Sequence, residues 1–124
     1  MRLLLDTHAA LWWLTDDARL SRTVIDHLRD GSNQSLLSAA AVWEVAIKRS
    51  LGKLDAPDGF ASQLLEGGML PLAVSLQHAE AVGDLPRHHG DPFDRLLVAQ
   101  AIVEGATLVS ADEALAAYDV AILW

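Results

Sequence analysis

The chain has 124 residues, 52 % of them hydrophobic, which suits one domain (1–124) with a sizeable core and excludes a disordered chain. It has no cysteine, which removes disulfides, thiolate metal sites and cysteine nucleophiles. Seventeen acids against nine bases give a net charge of −8, which excludes a broadly basic surface, so any contact with nucleic acid must rest on local positive patches and bound cations.

Leu3-Leu4-Leu5 is a short apolar run ended by Asp6, and it reads as a buried strand. Asp6 interrupts the apolar start too early for a signal-peptide core, and no apolar run nears the roughly 20 residues that span a bilayer. A soluble protein of the cytoplasm is therefore expected. Ala9 to Leu14 reads as a short helix carrying Trp12 and Trp13, which either pack or stack on bases. Ser21 caps a helix to about Arg29, with Val24, Ile25 and Leu28 at helical spacing. Ser35 to Leu37 is a second strand, and Ser38 caps a helix over Ala39–Leu51 closed by Gly52. Asp55-Ala56-Pro57-Asp58 opens a shorter helix through about Leu65, ended by Gly67-Gly68. Leu70 to Val74 is a third strand, and Ser75 caps a helix to about Val82.

An irregular loop follows, with Arg87, His88 and His89. The clearest helix starts at Asp91-Pro92-Phe93-Asp94, with Asp91 as N-cap and Pro92 at the first helical position, and Gly105 ends it. Thr107 to Val109 is a strand, Ser110 caps one more short helix, and Val120 to Leu123 is the last strand. Strands alternate with helices throughout, which predicts an α/β sandwich with a central, mainly parallel sheet flanked by helices.

In such a sheet the strand C-termini share one edge, and ligands bind there. Four acids fall where folding can bring them to that edge. Asp6 follows the first strand, Glu44 lies on the helix after the second, Asp94 is in the first turn of the clearest helix, and Asp112 lies just past the Thr107–Val109 strand. Each has an alternative use. Asp6 can cap a helix, Glu44 can pair with Lys48 one turn on, and Asp94 and Asp112 can favour helix dipoles. Converging, they would repel one another and raise each other's pKa, a cost that a divalent cation removes. Oxygen ligands favour a hard ion such as Mg²⁺ or Mn²⁺, which can acidify a bound water and stabilise charge on a phosphoryl oxygen.

Leu4-Leu5-Asp6-Thr7-His8 resembles the opening of VapC-type PIN-domain toxins, and Trp43-Glu44-Val45-Ala46-Ile47-Lys48 with Gly52-Lys53-Leu54 resembles their central motif. The stretch from His89 to Ala101 is the most specific match, and Leu108-Val109-Ser110-Ala111-Asp112 resembles the last motif, with Ser110 where the family usually has Thr. The resemblance implies a PIN-like three-layer fold and a Mg²⁺-dependent endoribonuclease with Asp6, Glu44, Asp94 and Asp112 as catalytic metal-binding acids. Asp6 and Asp94 would hold the ion most directly, and Asp91 is assigned to capping. It also implies an RNA substrate, a homodimer and a cognate antitoxin. Positive charge for RNA is available at Lys48, Arg49 and Lys53, at Arg95, and at Arg87, His88 and His89; the two histidines read as solvated rather than as ligands. The competing reading is a non-catalytic PIN-like module that only binds another protein. A haloacid-dehalogenase-type phosphatase needs a second Asp where His8 stands, and the paired acids of a receiver domain are missing.

Overall fold

The computed structural model describes residues 1–124. Five strands form one sheet: β1 (Arg2–Leu5), β2 (Gln34–Ser38), β3 (Leu70–Leu72), β4 (Thr107–Val109) and β5 (Ile122–Leu123). Their order is β3-β2-β1-β4-β5, and every pairing is parallel. Six helices connect them: α1 (Thr7–Leu14), α2 (Arg22–Arg29), α3 (Ala39–Ser50), α4 (Phe60–Glu66), α5 (Leu76–Val82) and α6 (Pro92–Glu104). The expected three-layer α/β sandwich with a parallel central sheet is what the chain forms. No helix is long and apolar enough to cross a membrane.

The central strand explains the layers. Side chains alternate across a sheet, so consecutive leucines must enter different cores. Leu3 and Leu5 join Leu37, Val109, Ala10, Val24, Phe60 and Leu64 on one face. Leu4 joins Leu36, Leu108, Leu97, Val98 and Leu115 on the other. A strand buried on both faces needs an unbroken apolar run, which Leu3-Leu4-Leu5 supplies.

Most helix ends fall where their caps put them. Ser21, Ser38, Ser75 and Asp91 each accept a backbone N–H of the first turn. Gly105 closes α6 in the left-handed conformation, φ 62°. The differences have local causes. α1 starts at Thr7, not Ala9, because Asp6 itself is the cap. α4 starts at Phe60, behind Gly59 at φ 70°, and not at Asp55–Asp58. The Asp58 carboxylate is engaged by Arg49 and so does not cap. β3 stops at Leu72, because its partner β2 ends at Ser38 and enters α3, and the Ala73 carbonyl turns to Gln100 instead. β5 pairs only over Ile122 and Leu123, matching the end of β4. After β4, Asp112 rather than Ser110 is the cap, and the element it opens (Glu113–Ala117) is a 3₁₀ turn. Trp12 and Trp13 are half-buried against the core, and Trp12 also packs on Trp124 and under Arg19, so packing accounts for both rings.

Leu4 is fully buried in the central strand. Leu4→Ala should cost about 2–5 kcal/mol in urea unfolding, the range for a cavity at a leucine site. A loss below about 1 kcal/mol would contradict its central place.

Candidate metal centre

The chain leaves β1 toward β2 and β3 on one side and returns to β4 on the other. Strand order therefore reverses between β1 and β4, and a crevice must open at their C-terminal ends. Asp6 is the first residue beyond β1, and its N–H continues the ladder to the Val109 carbonyl at 3.0 Å. Its carboxylate accepts the Ala9 N–H at 2.8 Å, so one residue caps α1 and faces the crevice. Burial raises its pKa above the ordinary value, and Glu44 adds to the rise; the Ser110 hydroxyl and the Ala9 N–H oppose it.

Glu44 lies one and a half turns into α3, and α3 starts where β2 ends, so this side chain also reaches the edge. It is 3 % exposed. Thr7, next to Asp6, donates to its Oε1 at 2.5 Å, and Lys48 pairs with Oε2. The one-turn Lys48 pair therefore exists, but it is buried on the Glu44 side rather than lying on a solvated face. That pairing raises the Lys48 pKa, with Asp91 and Asp94 contributing further.

Asp94 sits in the first turn of α6, aimed by the Asp91 cap, whose Oδ1 accepts the N–H of Phe93 at 2.8 Å and of Asp94 at 3.1 Å. Asp91 is thus a cap, as assigned. The Asp94 carboxyl is pushed up to about 7, chiefly by burial, then by the charges of Asp91, Asp6 and Glu44. Three of the four expected acids thus sense one another directly. Asp112 joins through His89. The His89 Nε2 lies 3.0 Å from Asp112 Oδ2 and 3.6 Å from Asp94 Oδ2. One ligand atom from each of His89, Asp94 and Asp112 lies within 4.8 Å of the others.

Sequence alone predicts a solvated His89, whereas in the structure it is half-buried and fully engaged. Its backbone N–H donates to the Tyr118 hydroxyl, and its Nδ1 accepts the Asp91 N–H at 3.0 Å. A backbone N–H can only donate, so the ring proton sits on Nε2 and points to Asp112. The ring's only lone pair is spent on Asp91, so His89 orients Asp112 rather than offering itself as a ligand. Thr7 and Ser110 were likewise not singled out as site residues. Both are hydroxyls beside an acid of the site, Asp6-Thr7 and Ser110-Ala111-Asp112, and both fall within the motifs that carry the family resemblance.

The donor chemistry fits a hard divalent cation. It is rich in carboxylate oxygen, partly buried, and has one lysine against the surrounding negative charges. Of the other expected basic residues, Arg49 is neutralised by Asp58.

The sequence model of the PIN domain matches residues 3–121. No curated protein matches the chain. Among solved structures, a chain of VapBC2 from Rickettsia felis, bound to a DNA fragment from its promoter, superposes with a TM-score of 0.74 at 17 % identity, covering 100 % of this chain and 99 % of that one. DNA-bound VapBC from Salmonella typhimurium gives 0.70 at 15 % identity, covering 99 % and 97 %. FitAcB from Neisseria gonorrhoeae gives 0.64 at 19 % identity, covering 98 % and 96 %. At these identities the likeness is one of fold.

A carboxyl raised from 3.8 to about 7 stabilises the fold only while protonated; that contribution is complete below the ordinary value and is lost as pH rises through about 7. Asp94→Asn in metal-free protein should therefore melt several degrees above the parent at about pH 8, with the gap closing toward about pH 4. Added Mg²⁺ should raise the parent's melting temperature and not the variant's. Equal melting temperatures at both pH values would contradict the crowding of charge at Asp94.

Proposed function

Because this chain belongs to the PIN-domain family, we propose that it is a Mg²⁺-dependent endoribonuclease, the toxin half of a bacterial toxin–antitoxin pair. The observation that carries the reading is the gathering of acids at one sheet edge: Asp6 and Glu44 are buried there, and one ligand atom from each of His89, Asp94 and Asp112 lies within 4.8 Å of the others. Crowding carboxylates out of water is a cost to the fold that a bound cation removes.

Asp6 and Asp94 would hold the ion most directly, and Asp112, oriented by His89, would complete the site. The oxygens of Glu44 accept from Thr7 and Lys48 and each keeps a further lone pair, so Glu44 would join the site through the ion or its waters. The bound cation supplies positive charge that acidifies water and stabilises a phosphoryl oxygen; Mn²⁺ suits the same donors. The reaction is hydrolysis: water adds to phosphorus and the ribose 3′-oxygen leaves, taking up a proton. The chain's own part is to fix the donors on strand ends and helix starts, and to keep bulk water from the buried side of Asp6.

The toxin role is supported by likeness to chains of VapBC and FitAcB along nearly their whole length. An antitoxin partner and a homodimer in the cytoplasm complete the reading. Leu65, Leu70, Val74 and Leu76 are exposed on consecutive elements and offer apolar surface to such partners.

The purified protein should cut single-stranded RNA with Mg²⁺ or Mn²⁺ and stop in EDTA. Asp6→Asn keeps a capping side chain, so it should preserve the fold while lowering kcat/KM on the order of 10²-fold or more. His89→Ala should weaken Mg²⁺ binding by about 10–100-fold in calorimetry. Undiminished cleavage in EDTA or by the Asp6→Asn protein would overturn the assignment, and absence of any cleavage would favour a module that only binds protein.

A further inference from the structure

We propose that a cleft beside the metal centre, walled by Arg87, His88 and Arg95, holds a backbone phosphate of the RNA strand; this rests on the nuclease reading. The cleft is about 360 Å³, within the range of small-ligand sites, and no Asp or Glu lines it.

The distribution of the nine lysines and arginines points the same way. Arg2, Arg19, Arg22, Lys48 and Arg49 are each paired to a carboxylate. Arg29, Lys53, Arg87 and Arg95 are not, and the last two line this one cleft. Arg95 is held rigidly by neutral acceptors, the carbonyls of Val82, Leu85 and Pro86 and the Tyr118 hydroxyl. Its charge is therefore fixed in place and left uncancelled. Arg87 stands exposed, with all its donors available to a ligand. His88 leans edge-on against Tyr118, its ring centroid 5.1 Å away.

Position selects the ligand. His89 lines the cleft and also bonds Asp112, so the cleft and the metal centre share a wall. A strand whose scissile phosphate lies at the acids runs into the cleft with a neighbouring phosphate, where a planar guanidinium can take two oxygens at once. The arrangement also accommodates RNA binding within a net charge of −8, because the attraction is local.

Binding of a fluorescein-labelled single-stranded RNA, followed by anisotropy in EDTA at several salt concentrations, tests this. Arg87→Ala should weaken binding and flatten the slope of log K against log salt by about 0.7, the value for one lost phosphate contact on a single strand. Arg87→Lys should keep the slope. Unchanged affinity and slope in Arg87→Ala, with the parent still cutting RNA, would overturn the cleft and leave the nuclease standing. The same outcome with loss of antitoxin binding would assign the cleft to a carboxylate of that partner, and would equally overturn the proposal. A parent that neither binds nor cuts RNA would overturn both.

Discussion

Mutual repulsion among carboxylates held out of water is the constraint on which the rest of this structure depends. Asp6 and Glu44 both raise the cost of ionising Asp94, Glu44 also raises that of Asp6, and all three are at least partly buried. Ionised and alone, such a group would be costly to the fold. The protein tolerates the cost by giving most of these carboxylates a compensating donor. Asp6 has the Ala9 N–H and Ser110, Glu44 has Thr7 and Lys48, and Asp112 has the Ala114 N–H and His89. Asp94 is the least compensated: its carboxylate accepts no hydrogen bond and has only Lys48 and the His89 ring nearby, and its pKa is pushed up.

The same residues hold the fold and the site. Asp6, Asp91 and Asp112 are all helix or turn caps, and all lie at one edge of the sheet. That is a property of parallel α/β topology, in which strand ends become helix starts at a common edge. Caps collect where ligands bind, so a cap and a metal ligand need not be rival explanations. In Asp6 and Asp112 the two roles coexist, since one carboxylate oxygen accepts a backbone N–H and the other does not. Asp91 caps α6 in the same way, its Oδ1 shared by two N–H groups, and its charge is the largest of those that raise Asp94.

Much of this was legible in the sequence because the deciding signals are local. The Leu3-Leu4-Leu5 run reads as a strand buried on both faces, which it is, and Asp91-Pro92 with Gly105 brackets α6. Other features depend on partners distant in the chain. β3 and β5 are shortened by where β2 and β4 end, which no property of Leu70–Val74 or Val120–Leu123 reveals. Pro57 and Asp58 looked like a helix start, but Asp58 is drawn to Arg49, and Gly59 turns the chain first. His89 was read as solvated because its three partners, Tyr118, Asp91 and Asp112, meet only in the folded chain. The net charge was the least informative feature, since it averages over acids gathered at one crevice and arginines gathered at the next.

The central claim is that distant acids share one divalent cation at the reversal of strand order. Anomalous diffraction from crystals soaked in Mn²⁺ tests it most directly. The account predicts an anomalous peak at the C-terminal ends of β1 and β4, within coordination distance of the Asp6 and Asp94 carboxylates. A Mn²⁺-replete crystal with no peak at that edge, or with the ion bound only elsewhere, would contradict it.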